Sequence, residues 1–217
     1  MINQILYVFF LASTAAGFAG FLFFLYRPSD NQQRNALLCL FIALISCRHA
    51  SGFPGPVQYL YGLLPALYPC FYFLIRTFVQ PEFRLGREHY VHLAPLGILL
   101  AMVALHIPFA DRNDPFAFLF EVFAAQTVVF LQYFGYVGGA WVLLFRTGRG
   151  NGVRPARIIT LLVTVLGIIA YVKSRLPQIE YGWTVVYVEL GTGLILVAVA
   201  AFILFRPGYE QPRIGEE

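Results

Sequence analysis

Long apolar runs separated by short polar breaks make up most of this chain. The first run covers residues 4–26, is rich in phenylalanine, and stops at the polar stretch RPSDNQQR (27–34). The second, 35–53, is broken by SGFPGP, and the third, 57–79, contains Pro65 and Pro69 and has Arg76 near its end. A short basic loop leads into the fourth run, 89–109, which the polar turn DRNDP closes. Runs at 116–145, 157–176 and 183–205 follow. A helix needs about 20 apolar residues to cross the hydrocarbon core of a bilayer. The pattern therefore predicts an all-α polytopic membrane protein with seven transmembrane helices in residues 1–206, and a cytoplasmic tail or linker at 207–217. The thirty-residue fifth run must tilt or project beyond the membrane. The first is too long for a signal-peptide core and has no basic residue before it, so it is expected to be retained. No internal repeat is visible, because the proline pair of the third run has no counterpart in a second half.

Composition agrees with this reading. Only 12% of residues are charged and 59% are hydrophobic, with a mean hydropathy of +0.70. Soluble domains carry about a quarter charged residues, which excludes that class. The 22 Phe and 13 Tyr suit lipid-facing surfaces and interfacial belts. A net charge of +4 is no nucleic-acid footprint here, because the arginines lie in the breaks and not along one face. Their distribution does set an expected orientation. Of the fifteen basic residues, only Arg48, Arg112, Lys173 and Arg175 fall on one side of the seven-span scheme. The positive-inside rule then places the amino terminus outside and the carboxyl terminus in the cytoplasm, in the cell's inner (plasma) membrane.

Ionisable groups at membrane depth are costly and are functional candidates by default. Glu189 lies two turns into the seventh run and Glu121 just inside the outer end of the fifth; Arg48, His49, His106 and Lys173 come at similar depth. If these ends converge, they form an outer-half polar pocket for a ligand, in which Glu189 pairs with Arg48 or Lys173. The structural alternative is that they snorkel to the headgroups or make ion pairs between helices. Gln126, Gln132, Tyr133 and Tyr136 add a polar stripe to the fifth run, readable equally as interhelical hydrogen bonds. Pro65 and Pro69 are the candidate hinge, since proline removes a backbone donor and bends a helix. Small residues at Ala12, Ala16 and Gly20, and again at Gly135 and Gly139, line up for close helix contact.

Several chemistries find no residues. His89 and His92 share a helix face, but no carboxylate or thiol at matching spacing completes a metal site. Cys39, Cys47 and Cys70 sit in apolar runs at no metal or redox spacing and read as small buried hydrophobes. The only lysine, Lys173, is too near a helix end for a mid-membrane Schiff base, which excludes retinal. GRGNG (148–152) lacks the Lys-Ser/Thr of a phosphate loop, and there is no HExxH, GxSxG or Ser-His-Asp set. No cofactor and no catalytic residue is nominated, and the chain is not expected to be an enzyme.

Four stretches resemble the amino-terminal membrane domain of seven-span AraC-type bacterial transcription regulators. They are RPSDNQQRNALLCLFIAL (27–44); YPCFYFLIRTF (68–78), with Pro69, Tyr72 and Arg76 at matching spacing; HLAP (92–95); and FLQYFGYVGGAWVLLFR (130–146) with GYEQPRI (208–214). Tyr68 departs from the group's pattern by standing where glycine is usual. In that group a multi-span sensor precedes a helix-turn-helix domain, and Glu217 falls where that domain would begin. The resemblance thus implies a split or truncated regulator, or a stand-alone relative that signals through a partner, with no direct nucleic-acid binding by these residues. The expected function is a membrane sensor that relays an envelope or lipid-phase stimulus to the cytoplasm. Its expected partners are the bilayer, a cytoplasmic signalling protein and a second copy of the chain. A small solute transporter or channel, and a structural subunit of a larger membrane complex, remain the alternatives.

Overall fold

The computed structural model describes residues 2–27, 31–50, 63, 65–80, 82–97, 129–148, 153–175 and 183–205. Among them there are helices and no strands. Six α-helices appear: α1 (Ile2–Tyr26), α2 (Gln32–Ala50), α3 (Leu67–Val79), α4 (Val129–Arg146), α5 (Arg154–Arg175) and α6 (Trp183–Phe205). A 3-10 helix, Arg87–Leu93, lies between α3 and α4. Three helices, Gln4–Tyr26, Arg154–Val172 and Val188–Phe205, are long and apolar enough to cross a membrane. Parts of the predicted runs lie outside the described residues, among them 57–62 and 64 of the third (57–79), 98–109 of the fourth (89–109) and 116–128 of the fifth (116–145), as does the tail at 207–217.

Local chemistry accounts for several helix ends. Residues ahead of a proline are pushed out of the helical region, and Gln80, just before Pro81, ends α3 in an extended conformation (φ −125°, ψ 91°). At the end of α4, Gly148 takes φ +78°, the left-handed geometry in which glycine stops a helix. Its carbonyl accepts a hydrogen bond from the Arg157 guanidinium on the next helix. α5 carries Pro155 in its first turn, where the missing N–H would have no intrahelical acceptor anyway.

α2 is the central element. Fourteen of its nineteen residues are buried, because α1, α3 and α6 all pack on it. α3 in turn meets α4 and α5, and α5 meets α4 and α6, so helices α2 to α6 close a ring with α1 added on the α2 side. The interior is filled from every member, with Leu38, Phe41 and Ile45 facing Phe71, Leu74, Leu144, Ile159 and Leu196. The opposite faces are also apolar: Leu131, Phe134 and Phe145 on α4, Leu161 and Ile168 on α5, and Ile195, Phe202 and Phe205 on α6 are exposed. A surface helix in water shows a polar outer face. A bundle that is apolar both inside and outside fits hydrocarbon as its solvent.

The contact between α1 and α2 uses only part of the predicted face: a methyl group at Gly20 would stand 2.9 Å from Cys39 Sγ, but the two alanines are not used. Ala12 and Ala16 are exposed, while Phe10, Thr14 and Gly17 are buried. A methyl group at Gly17 would stand 2.7 Å from the Ala43 amide nitrogen and 2.8 Å from the Cys39 carbonyl oxygen. Gly17 carries the close approach because backbone meets backbone there. The alanines sit a third of a turn away, towards the outside.

Candidate functional site

Arg48 and His49 stand in the last turn of α2, and Glu189 lies in the second turn of α6. Arg48 Nη2 donates to Glu189 Oε1 at 3.0 Å, across 141 positions of sequence. The two side chains are only 12% and 16% exposed. The helix dipoles favour this arrangement: a cation suits the carboxyl end of α2 and an anion suits the amino end of α6. An ion this little exposed needs a partner of opposite charge, especially in hydrocarbon.

His49 is buried beside the pair. Its ring stacks on Phe10 of α1, with centroids 4.9 Å apart at 27°. On its other side it fills the space over Gly193, where any side-chain carbon would collide with the imidazole. Gly193 is one turn beyond Glu189, so both lie on the α6 face turned towards α2. Three helices therefore meet at this end: α1 through Phe10, α2 through Arg48 and His49, and α6 through Glu189 and Gly193. Of the six residues predicted to form the pocket, Arg48, His49 and Glu189 are together. Glu121, His106 and the Lys173 side chain lie outside the described residues.

The opposite end of α2 is built differently. Arg34 is buried there and lies over the Phe78 ring at 5.5 Å. Gln33 accepts a hydrogen bond from the Leu85 amide at 3.1 Å and donates to the Phe83 carbonyl at 3.4 Å. The loop after α3 is thereby tied to α2. Arg76 sits 4.0 Å over the Phe83 ring centroid, donates to Gln80 Oε1 at 3.1 Å, and has Nη1 3.4 Å from His89 Nε2. His89 Nδ1 accepts the Gly86 amide at 3.0 Å, capping the 3-10 helix, and lies 3.1 Å from Glu88 Oε1. His92 Nδ1 is 2.7 Å from the Tyr136 hydroxyl of α4. His89 and His92 do share a face, with ring centroids 6.5 Å apart. Among the described residues no three of His, Cys, Asp or Glu gather as a metal would require.

The polar stripe of α4 resolves largely into ties between helices. Tyr133 donates to the Thr164 carbonyl at 2.9 Å, and Trp141 Nε1 donates to Thr164 Oγ1 at 3.0 Å. Gln132 is buried, and neither of its amide atoms has a partner among the described residues. Gln126 lies outside them. A methyl group at Gly139 would stand 3.4 Å from the Tyr72 ring, whereas Gly135 is exposed with open space beside it. The expected hinge falls at the start of α3: Pro65 belongs to a 3-10 turn before it, and Pro69 is in its first turn. At that position a proline costs no helical hydrogen bond.

Sequence reasoning missed Phe10, Gly193 and Gln33. Gly193 left a trace, being four residues after a membrane-depth carboxylate, which is the spacing of a shared helix face. Gln33 left none, since a glutamine in a polar break looks like any other. No family model matches the chain, and neither curated proteins nor solved structures yield a match.

Proposed function

We propose that the chain is a seven-span signal-transduction domain of the inner (plasma) membrane, with its amino terminus outside and its carboxyl end in the cytoplasm. In this reading a stimulus arriving at the Arg48–His49–Glu189 end alters the packing of α2. The movement reaches the basic segment 76–93, which acts on a cytoplasmic partner or a DNA-binding domain.

The observation that carries the reading is that one buried helix holds both ends. α2 is bonded to α6 through Arg48 and Glu189 at 3.0 Å, and through Gln33 it holds the loop backbone at Phe83 and Leu85. A ligand bearing a charge could exchange for one member of the ion pair. Such a ligand shifts the bundle only if it prefers one packing over the other. The skewed distribution of basic residues supports the orientation, and the resemblance to the membrane domain of AraC-type regulators supports the direction of output.

The test is a reporter regulator fused after the tail and read in cells carrying Glu189→Gln or Arg48→Gln. Both variants should change basal output several-fold in the same direction, because each releases α2 from α6. Unchanged output from both, with the fusion intact in the membrane, would remove the reading. Impermeant thiol labelling of Arg84→Cys in intact cells examines the orientation separately, and labelling there would reverse it.

A further inference from the structure

A cavity of about 560 Å³ opens between α1, α2, α3 and the segment 84–93, at the end of α2 away from Glu189. Small-molecule sites commonly measure about 300–1,000 Å³. Its walls are hydrocarbon over most of their depth, with Phe21, Leu37, Leu40 and Phe73 prominent. Along α2 the cavity runs from Gln32 to Leu40, a rise of about 12 Å. Half the hydrocarbon thickness of a bilayer is about 15 Å. The depth therefore matches one leaflet.

Polar groups gather only at the Gln32 end, and most are already committed. Gln32 donates to the Leu25 carbonyl at 3.0 Å, Gln33 holds the loop backbone, and His89 takes the Gly86 amide and faces Glu88. Arg84 and Tyr90 line the same rim, and among the described residues neither makes a hydrogen bond or ion pair. The site thus offers one cation and one hydroxyl above a leaflet-deep apolar slot.

We infer that this cavity holds a single acyl chain of an anionic amphiphile, with its carboxylate or phosphate at Arg84 and Tyr90. The chemistry is shared by an anionic membrane phospholipid and a free fatty acid. A zwitterionic headgroup carries a positive charge that the Arg84 rim disfavours. The inference requires only that the chain lies in a membrane, and its test reads binding, so it stands or falls apart from signalling.

The experiment uses the full chain in phosphatidylcholine vesicles with three photoreactive probes, each bearing a diazirine on its chain: palmitic acid, phosphatidylglycerol and phosphatidylcholine. Peptides containing Leu37 and Cys70 should be labelled by palmitic acid or phosphatidylglycerol well above phosphatidylcholine, and whichever dominates identifies the source. The lipid-facing surface at Leu131 and Phe134 should label alike with all three. Arg84→Gln should lower the anionic preference about fivefold, as expected for an exposed charge contact of about 1 kcal/mol. Ala36→Phe, which places a ring in the slot, should abolish labelling of the cavity peptides. Equal labelling by all three probes, or cavity labelling no higher than at Leu131 and Phe134, would overturn the inference. So would an Arg84→Cys disulfide-linked dimer that excludes the probes, since a second copy would then fill the slot.

Discussion

The two ends of α2 carry similar residues and solve the problem of charge in opposite ways. At the Glu189 end, a carboxylate from 141 positions away neutralises Arg48 directly. At the other end Arg34 and Arg76 lie against Phe78 and Phe83, and Arg76 also reaches the amide of Gln80. A cation–π contact of this kind stabilises by about 0.5–2 kcal/mol while leaving the charge in place. One end is therefore held by an ion pair, and at the other a buried and a partly buried arginine lie against aromatic rings. This difference separates an end where two helices are joined by opposite charges from an end where arginines rest on aromatic rings.

The strongest way to break the comparison is to remove one charge at the locked end. Arg48→Ala or Glu189→Ala removes one member of the ion pair at a site mostly shielded from water. Loss of one partner from a buried pair typically costs about 3–5 kcal/mol. Replacing both at once, Arg48→Met with Glu189→Leu, should recover most of the loss, because the pair itself has little net worth against well-packed hydrocarbon. Thermal unfolding of purified protein in detergent measures all three variants. Single substitutions as stable as the parent would mean that the pair is solvated and the end is not locked.

A smaller effect should come from the glycines that let helices close on α2. Gly193→Ala forces its methyl against the His49 ring, and Gly17→Ala forces one against the Ala43 and Cys39 backbone. Overpacking of this sort costs about 1–3 kcal/mol. The two sites should differ, because an imidazole can rotate and a backbone cannot, so Gly17→Ala is expected to be the more damaging. Equal, negligible shifts in the same unfolding assay would show that α1 and α6 are not held closely to α2.

How much of this could be read beforehand depended on the kind of signal. The all-helical character was legible, because apolar runs in a chain this hydrophobic have few other solutions; the span bounds were less so, since the predicted third run is α-helical only from Leu67 and the predicted fourth opens as a 3-10 helix. Arg48, His49 and Glu189 were legible as candidates because charge in an apolar run is conspicuous, and the Arg48–Glu189 pairing was one of the two considered. The face that α1 turns to α2 was read only in part: of Ala12, Ala16 and Gly20, Gly20 does approach Cys39, but the alanines are exposed and Gly17 makes the tightest contact with α2. Spacing alone cannot tell which small residues meet a backbone and which meet lipid. The cavity at Arg84 was illegible for a different reason. It is made by four separate elements and by the hydrogen bonds that occupy its other polar groups, and neither is written in any local pattern.

At the end where arginines rest on rings, the tie between His92 and Tyr136 at 2.7 Å joins the 3-10 helix to α4. Tyr136→Phe should cost about 1 kcal/mol, the usual net value of one hydrogen bond. His92→Phe should cost a similar amount, and the double variant should cost no more than either alone. Additive losses would mean that the contact contributes nothing by itself.

The smallest expected effect sharpens the same contrast within the ring. Trp141 Nε1 and the Tyr133 hydroxyl both bond to Thr164, one to its side chain and one to its carbonyl. Thr164→Val removes the acceptor for Trp141, together with the hydroxyl's own bond to the Thr160 carbonyl within α5, and leaves the acceptor for Tyr133, so one interhelical bond is lost. Such bonds in membrane proteins average about 0.6 kcal/mol, because the polar groups find substitutes when a helix separates. The loss should therefore be well below that of Arg48→Ala, and Trp141→Phe should match it. A loss as large as that of the ion-pair variants would mean that the α4–α5 contact, and not the end at Glu189, holds the bundle together.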